Sequence, residues 1–398
     1  MNQFWMIFVS VVLAGLPAMS APGAGNRVVA WGAGMVYHPA DNNDYGQSIV
    51  PASLTNAAAV AAGWRHSLAL NTNRTLQGWG DNSVLQTSFP TNITYLAIAC
   101  GQLHSLALTT NGLVVAAGYD GYGETEVPGN LSNVVAVACG FYHSLALRSN
   151  GTVNAWGAGT ITNPADYYDY GQAVVPPGLS NVVAIAGGGY HSLVLKSDGT
   201  VAAWGDDYYG QAEVPAGLSN IVAIAAGGGH NLVLNTSGTV VAWGENLYGQ
   251  TNVPSGLSNV VAIAAGGWHN LALKSDGTVV AWGAGVGSNT NVDYGQSTVP
   301  SGLSNVVQIA AGSLNSLALV GAGPPVLKVP LALAGRGTNG FSAVLPTRYG
   351  RVYRLEYASS LTNQAWRAFP LQAGQGGSTK FNDPSPATTN RFYRASQW

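Results

Sequence analysis

Charge is scarce in this chain. Of 398 residues only 15 are Lys or Arg and 17 are Asp or Glu, a charged fraction of 8%, so solubility has to rest on Asn, Ser, Thr, Gln and Tyr. Cysteine is scarcer still: Cys100 and Cys139 are the whole complement, too few for the disulfide framework of a small secreted scaffold. They sit in matching phrases, "AIACG" and "AVACG", whose Cα atoms are expected to lie farther apart than the ~5.5 Å a disulfide prefers, so two buried free thiols are expected. No run has the length or the 3.6-residue spacing of an amphipathic helix. No G-x-S-x-G elbow, H-E-x-x-H pair or phosphate loop occurs, so nothing supports catalysis, a cofactor or a bound metal. No basic stretch marks a nucleic-acid surface in the first 320 residues. Disorder is excluded by an apolar content of 47%.

What the chain has instead is repetition. The stretch "HNLVLNTSGTVVAWGENLYGQTNVPSGLSN" at 230–259 is followed by a near copy that begins at His269. The histidine phrase recurs at His66, His104, His143, His191, His230 and His269, with Asn315 in the same slot. The Trp-Gly phrase recurs at Trp31, Trp79, Trp156, Trp204, Trp243 and Trp282, with Ala117 in that slot. Each set has seven members. A copy reads "VVAIAAG", "HSLAL", "GTVVAWG" and then "YGQ..VP", short Val/Ala/Leu/Trp runs parted by Ser-Asp-Gly or Thr-Asn-Gly turns. Four strands per ~40 residues predicts propeller blades, whose sheets bury both faces only when neighbours pack against them.

The ends of the array carry a second clue. A lone "RVVAWG" opens it at 27–32, and "VVQIAAGSLNSLAL" closes it at 306–319 without a Trp-Gly strand of its own. Together the fragments make one blade. The expected fold class is all-β: a seven-bladed β-propeller over residues 26–320, closed by the N-terminal strand so that no edge is left open.

With "G..HSLAL", "DGTV.AWG" and "YGQ" recurring in register, the chain resembles the regulator of chromosome condensation repeat family, and in style the secreted bacterial propellers of that type that inhibit beta-lactamases. The resemblance implies the propeller fold. It also implies binding through loops on one propeller face, which on this chain would engage Tyr167, Tyr168, Asp169, Tyr208 and Tyr209. Nucleotide exchange on a small GTPase is a further implication of the family name. The expected export and the lack of a basic chromatin-binding stretch argue against that activity here.

Outside the repeats, "MNQFWMIFVSVVLAGLPAMS" at 1–20 has the short apolar core and small residues of a secretory signal peptide, so a secreted or envelope address is expected. A Gly-Ala-Gly-Pro-Pro linker at 321–325 leads to residues 326–398. Six short runs there, "VLKVPLALA" to "RFYRASQW", predict a small β-sandwich resembling the terminal β-modules of secreted bacterial proteins. This segment holds nine basic and two acidic residues, leaving six basic and fifteen acidic before it. Its arginines, among them Arg348, Arg351, Arg354, Arg367, Arg391 and Arg394, suit contact with an anionic cell-surface polymer, or they form a solvated polar face.

The repeat histidines and tryptophans read as structural, because each sits alone in its own copy. What varies is the segment between Trp-Gly and Tyr-Gly-Gln, long after Trp31, Trp156 and Trp282. Insertions in a repeat array fall on one face, often the binding face. Across the seven segments there are eleven tyrosines and eleven acids, with no Lys or Arg. The candidate binding face is therefore Asp41, Asp44, Tyr45, Tyr119, Tyr122, Asp166, Tyr167, Tyr168, Asp169, Tyr170, Asp206, Asp207, Tyr208, Tyr209, Tyr248, Asp293 and Tyr294. Rigid aromatic area with charge of one sign fits a protein or peptide partner of basic character bound by a monomer; a polysaccharide stacked on tyrosines is the alternative. Calcium at Asp41, Asn42, Asn43 and Asp44 lacks the spacing of a ligand loop.

Overall fold

The computed structural model describes residues 26–35, 37–38, 43–160, 168–285 and 292–322, and beyond them 328–329, 332–337, 340–347, 352–358, 367–375, 377–383 and 392–397. The expected signal peptide, Asp41, Asp166 and Tyr167 lie outside the described residues.

Seven antiparallel three-stranded sheets follow one another. Blade 1 is Ala57–Ala62, His66–Asn71 and Leu76–Gly80; blade 2 is Tyr95–Cys100, His104–Thr109 and Val114–Gly118; blade 3 is Val134–Cys139, His143–Arg148 and Val153–Gly157. Blade 4 is Val182–Gly187, His191–Lys196 and Val201–Gly205; blade 5 is Ile221–Ala226, His230–Asn235 and Val240–Gly244; blade 6 is Val260–Ala265, His269–Lys274 and Val279–Gly283. Blade 7 is composite. Val306–Ala311 pairs with Asn315–Val320, whose free edge takes Arg27–Gly32 in the register Arg27 to Val320 through Gly32 to Asn315. The sequence is thus right that the first strand closes the ring.

Four strands per blade were expected and three are found among the described residues. The Tyr-Gly-Gln segment runs as turns because its glycine takes a left-handed φ, +76° at Gly171, and its glutamine folds back onto its own loop. The Gln oxygen accepts the backbone N–H two residues earlier, from Tyr45 to Gln47 at 2.9 Å and from Tyr209 to Gln211 at 2.7 Å. A side chain so used leaves its loop no partner strand.

First strands of successive blades lie against one another around the whole ring, so they line its axis. Crowding there explains their alanines: a Cβ on Gly187 would fall 2.6 Å from the Cys139 carbonyl carbon. Cys100 and Cys139 fill such positions as buried, unpaired thiols, and burial pushes Cys100 up to about 12. Middle strands are buried almost throughout; Leu68, Leu70, Leu106, Leu145 and Leu193 have no exposed surface.

Blades are joined by a repeated clasp. Nε2 of each repeat histidine meets a Ser or Asn on the middle strand of the next blade: His66 to Ser105, His104 to Ser144, His143 to Ser192, His191 to Asn231, His230 to Asn270 and His269 to Ser316, at 2.8 to 3.1 Å. In blade 7 Asn315 reaches Ser67 and closes the circle. The acceptor fixes the tautomer, because Asn231 and Asn270 give their Nδ2–H to the carbonyls of Gln211 and Gln250, leaving Oδ1 to accept from His Nε2–H. Each of these glutamine carbonyls also accepts an indole N–H: Trp243 Nε1 reaches Gln211 O at 3.2 Å and Trp282 Nε1 reaches Gln250 O at 3.0 Å. Trp31 does the same to Gln296, 265 positions away.

Beyond the ring, among the described residues, eight short strands form two antiparallel sheets, one of five strands and one of three. The first expected strand arrives as two, Lys328–Val329 and Ala332–Gly337, in different sheets. Arg354 is buried, which removes it from any basic surface patch. Val352, Leu371 and Ala373 join the core of blades 4 to 6, and Leu371 N donates to Ser197 O at 2.8 Å.

The clasp makes acid the weak point of the ring. All six repeat histidines are fully buried; burial lowers His66, His191 and His230 to about 4 and His104, His143 and His269 to about 3. An unfolded chain protonates its histidines below about 6.5 while the ring stays neutral, so the unfolded state binds more protons and stability falls as pH drops from 6.5 towards 4. Thermal melting across that range should show a steep loss, about 1.4 kcal/mol per histidine per pH unit at most, and His191→Asn should make it shallower. A flat profile would refute a neutral clasp.

Glu124 takes the slot that Gln fills in the other copies, and burial pushes it up to about 7. Because its folded pKa is raised, ionisation costs stability as pH rises from about 4.5 through 7. Glu124→Gln should raise stability at pH 8 by about 1 kcal/mol and leave it unchanged near pH 4, as read by denaturant titration.

Candidate functional site

Antiparallel pairing puts three things at one end of every blade: the end of the first strand, the start of the middle strand, and the exit of the third. The loops after Trp-Gly therefore share a face with the Gly-x-x-His hairpins. Each hairpin glycine is required, because the histidine ring folds onto it and a Cβ on Gly63 or Gly188 would collide with the His66 or His191 ring. The two residues between differ from blade to blade: Trp64-Arg65, Gln102-Leu103, Phe141-Tyr142, Gly189-Tyr190, Gly228-Gly229, Gly267-Trp268 and Ser313-Leu314. The sequence reading missed these positions. Their signal was available as two variable residues inside an otherwise repeated phrase.

Hairpins and loops together build an aromatic surface. Phe141, Tyr190, Trp268, Val292 and Leu314 are buried in one cluster, with Trp64, Tyr142, Tyr168, Tyr248 and Tyr294 half-buried against it. On blades 2 to 4 the rings run on continuously: Tyr119 to Tyr122, Tyr122 to Tyr142 and Tyr168, Phe141 to Tyr190, and Tyr190 to Tyr170, with centroids 5.1 to 6.4 Å apart. Such edge and tilted contacts hold the rings rigid. Tyr248 meets Trp268 at 5.7 Å, and Tyr45 lies beside Arg65, whose guanidinium sits 3.4 Å over the Trp64 ring. Burial raises the phenols of Tyr142 and Tyr190, which stay protonated.

The expected acids divide by what they already hold. Asp44 and Asp169 accept the backbone N–H of Gly34 and Gly159, closing their long loops; Asp207 accepts from Ala212 and Asp293 from Gly295. Asp206 lies deeper, taking Tyr208 N at 3.2 Å and Gln211 Nε2 at 2.6 Å, and burial raises its pKa. Glu245 is buried, with Oε2 unpartnered, and is pushed up to about 7. The long loops after Trp31 and Trp282 touch, since Asn43 Nδ2 donates to Tyr294 OH at 2.8 Å.

The charge of this face has one sign but for one residue. Asp44, Asp81, Asp120, Glu124, Asp169, Asp206, Asp207, Glu245 and Asp293 lie on its loops, and Arg65 is the single Lys or Arg among the described residues there. The other five bases of the ring, Arg27, Arg74, Arg148, Lys196 and Lys274, stand at the opposite ends of the strands. The second module contacts that opposite end, at the Ser197 turn. It leaves the aromatic face uncovered at the described residues. Among the described residues no group of three or more His, Cys, Asp or Glu is placed to hold a metal.

Between blades 4 and 5 lies a cavity of about 340 Å³ lined by Tyr170, Tyr190, Asp206, Tyr208, Tyr209, Gln211, Gly228 and Gly229. It exists because the blade 5 hairpin carries two glycines where blades 4 and 6 place Tyr190 and Trp268.

Comparison with known proteins agrees with this architecture. The model of the regulator of chromosome condensation (RCC1) repeat matches residues 57–86, 96–124, 134–160, 182–211, 221–250 and 260–296. No curated protein sequence matches the chain. Among solved structures, Prp20p from Saccharomyces cerevisiae superposes with a TM-score of 0.60 at 20% identity over 79% of this chain and 94% of that one. Human WBSCR16 gives 0.55 at 21% identity over 74% and 99%. The ectodomain of the Physcomitrella patens receptor kinase CR4 gives 0.52 at 19% identity over 69% and 75%. At such identities these likenesses speak for the fold alone. Six matched repeats and a seventh blade assembled from both ends of the array make the chain a propeller of the regulator of chromosome condensation repeat family.

Proposed function

We propose that the chain is an exported, non-enzymatic binding protein whose aromatic, acidic face captures a protein or peptide of basic character. The observation that carries this reading is the union of eleven or more closely placed aromatic rings with carboxylates of one sign at the same end of the ring. Rigid tyrosines give contact area at low entropic cost, and a one-signed field speeds encounter with an oppositely charged partner. Prp20p offers an analogy in kind: it has described binding properties to Gsp1p and histones. In this reading residues 1–20 are removed on export. The second module, held at the far side, is the part that attaches to a surface polymer.

A photo-crosslinking residue placed at Tyr208, which is 82% exposed, is expected to trap a basic protein from extracellular and envelope fractions, and to lose it at high salt. The same probe at Leu113, exposed on the opposite face, should trap nothing in common with it. Tyr170→Ala with Tyr208→Ala should weaken the isolated complex about tenfold. Identical adducts from both faces, or none from Tyr208, would overturn the assignment.

A further inference from the structure

We propose that the cavity between blades 4 and 5 is a cage for an alkylammonium group, such as a lysine side chain. This deepens the proposed function, and rests on it only for the source of the cation. The walls are tyrosines set at angles to one another. Tyr208 and Tyr209 meet edge to face, 4.8 Å apart at 89°, and Tyr170 meets Tyr190 at 5.3 Å and 56°. A sugar stacks on a flat platform, whereas a corner of ring faces surrounds a compact cation whose charge each π-face attracts.

The polar lining selects in the same direction. Gln211 accepts Tyr209 N on its oxygen and gives one of its two amide N–H bonds to Asp206. Asp206 holds one donor on each carboxylate oxygen, and a carboxylate has lone pairs for about four. The remaining capacity is for accepting hydrogen bonds. Gly228 and Gly229 spend their carbonyls on Gly189 N and Glu245 N. A ligand that donates can use this capacity, and an ammonium offers three N–H bonds.

An independent observation lies behind the glycine wall. Glu245 is 3% exposed, its Oε2 has no hydrogen-bond partner, and a Cβ on Gly229 would fall 2.8 Å from that atom and 3.2 Å from the Tyr209 ring. The Glu245 carboxyl, which takes a hydrogen bond from the Trp268 side chain and is pushed up to about 7 by burial, is a second acidic group behind the cavity wall. The glycines at 228 and 229 keep side chains out of the cavity, which Asp206 lines. No positive side chain reaches it, since Arg65, the single base of this face among the described residues, is held over Trp64 and Tyr45 of another sector.

The test needs no partner. The full chain, with tyrosine rings labelled for NMR, is titrated with n-butylammonium chloride and with n-butanol at constant ionic strength. The ammonium should shift the rings of Tyr170, Tyr190, Tyr208 and Tyr209 with a dissociation constant in the millimolar range, while butanol leaves them unmoved. Asp206→Asn should weaken the ammonium at least fivefold with the ring spectrum otherwise intact. Tyr208→Ala, at an exposed position, should weaken it without touching the fold. Equal shifts from butanol, unchanged affinity in Asp206→Asn, or shifts from methyl glucoside in place of the ammonium would each overturn the cage. Because the probe is small, a cage that fails leaves crosslinking at Tyr208 to judge the wider face, and a cage that holds does not rescue it.

Discussion

Everything on the functional face depends on one hydrogen bond, from the Nε2–H of a buried histidine to a Ser or Asn of the next blade. Adjacent propeller blades share no β-ladder, so side chains and loop backbone must fix the angle between them. The clasp does this where first and middle strands meet, and the same Ser or Asn then donates to the carbonyl of the incoming loop glutamine, as Ser192 does to Gln172 at 2.8 Å. The tryptophan of that blade adds its indole N–H to the same oxygen. Histidine, Ser or Asn, glutamine and Trp thus form one unit spanning two blades. None of its polar groups could be buried so deeply without the others.

That unit separates what must stay constant from what is free to vary. Histidine needs a glycine three residues earlier to make room for its ring, and glutamine needs its oxygen for the loop backbone. The two positions between glycine and histidine carry no such duty, nor do the residues between Trp-Gly and Tyr. Fourteen hairpin positions and seven loops therefore vary from blade to blade while the scaffold repeats. The aromatic belt on blades 2 to 4 and the glycine gap on blade 5 are two uses of the same freedom.

The ring was legible in the sequence because its determinants are local and recur: phrase order gives the strands, and the split blade gives the closure. The missing fourth strand was not legible, since "YGQ..VP" has the composition of an edge strand and only the fold-back of Gln47 or Gln211 onto its own loop shows a turn. The face was half legible. Tyrosines in inserted loops drew attention because they depart from the repeat in length. Trp64, Tyr142, Tyr190 and Trp268 sit in hairpins of constant length, where substitution without insertion looks like noise. The acids misled in another way. Asp44 and Asp169 look like displayed charge in a string of letters, yet each closes its own loop, and Asp206 and Glu245 matter through burial that no composition reveals.

Charge completes the picture on a scale larger than any contact. The ring has few charges to arrange, and it places nine described acids with one arginine at one end, and five bases together with Asp198 and Asp276 at the other. The basic module docks at the Ser197 turn, where Lys196 and Asp198 both stand. What holds it there is apolar: Val352, Leu371 and Ala373 bury against the core of blades 4 to 6, helped by a backbone bond to Ser197. The acidic face carries no basic module at the described residues. Apolar packing thus places the module away from the tyrosine face and leaves that face uncovered at the described residues.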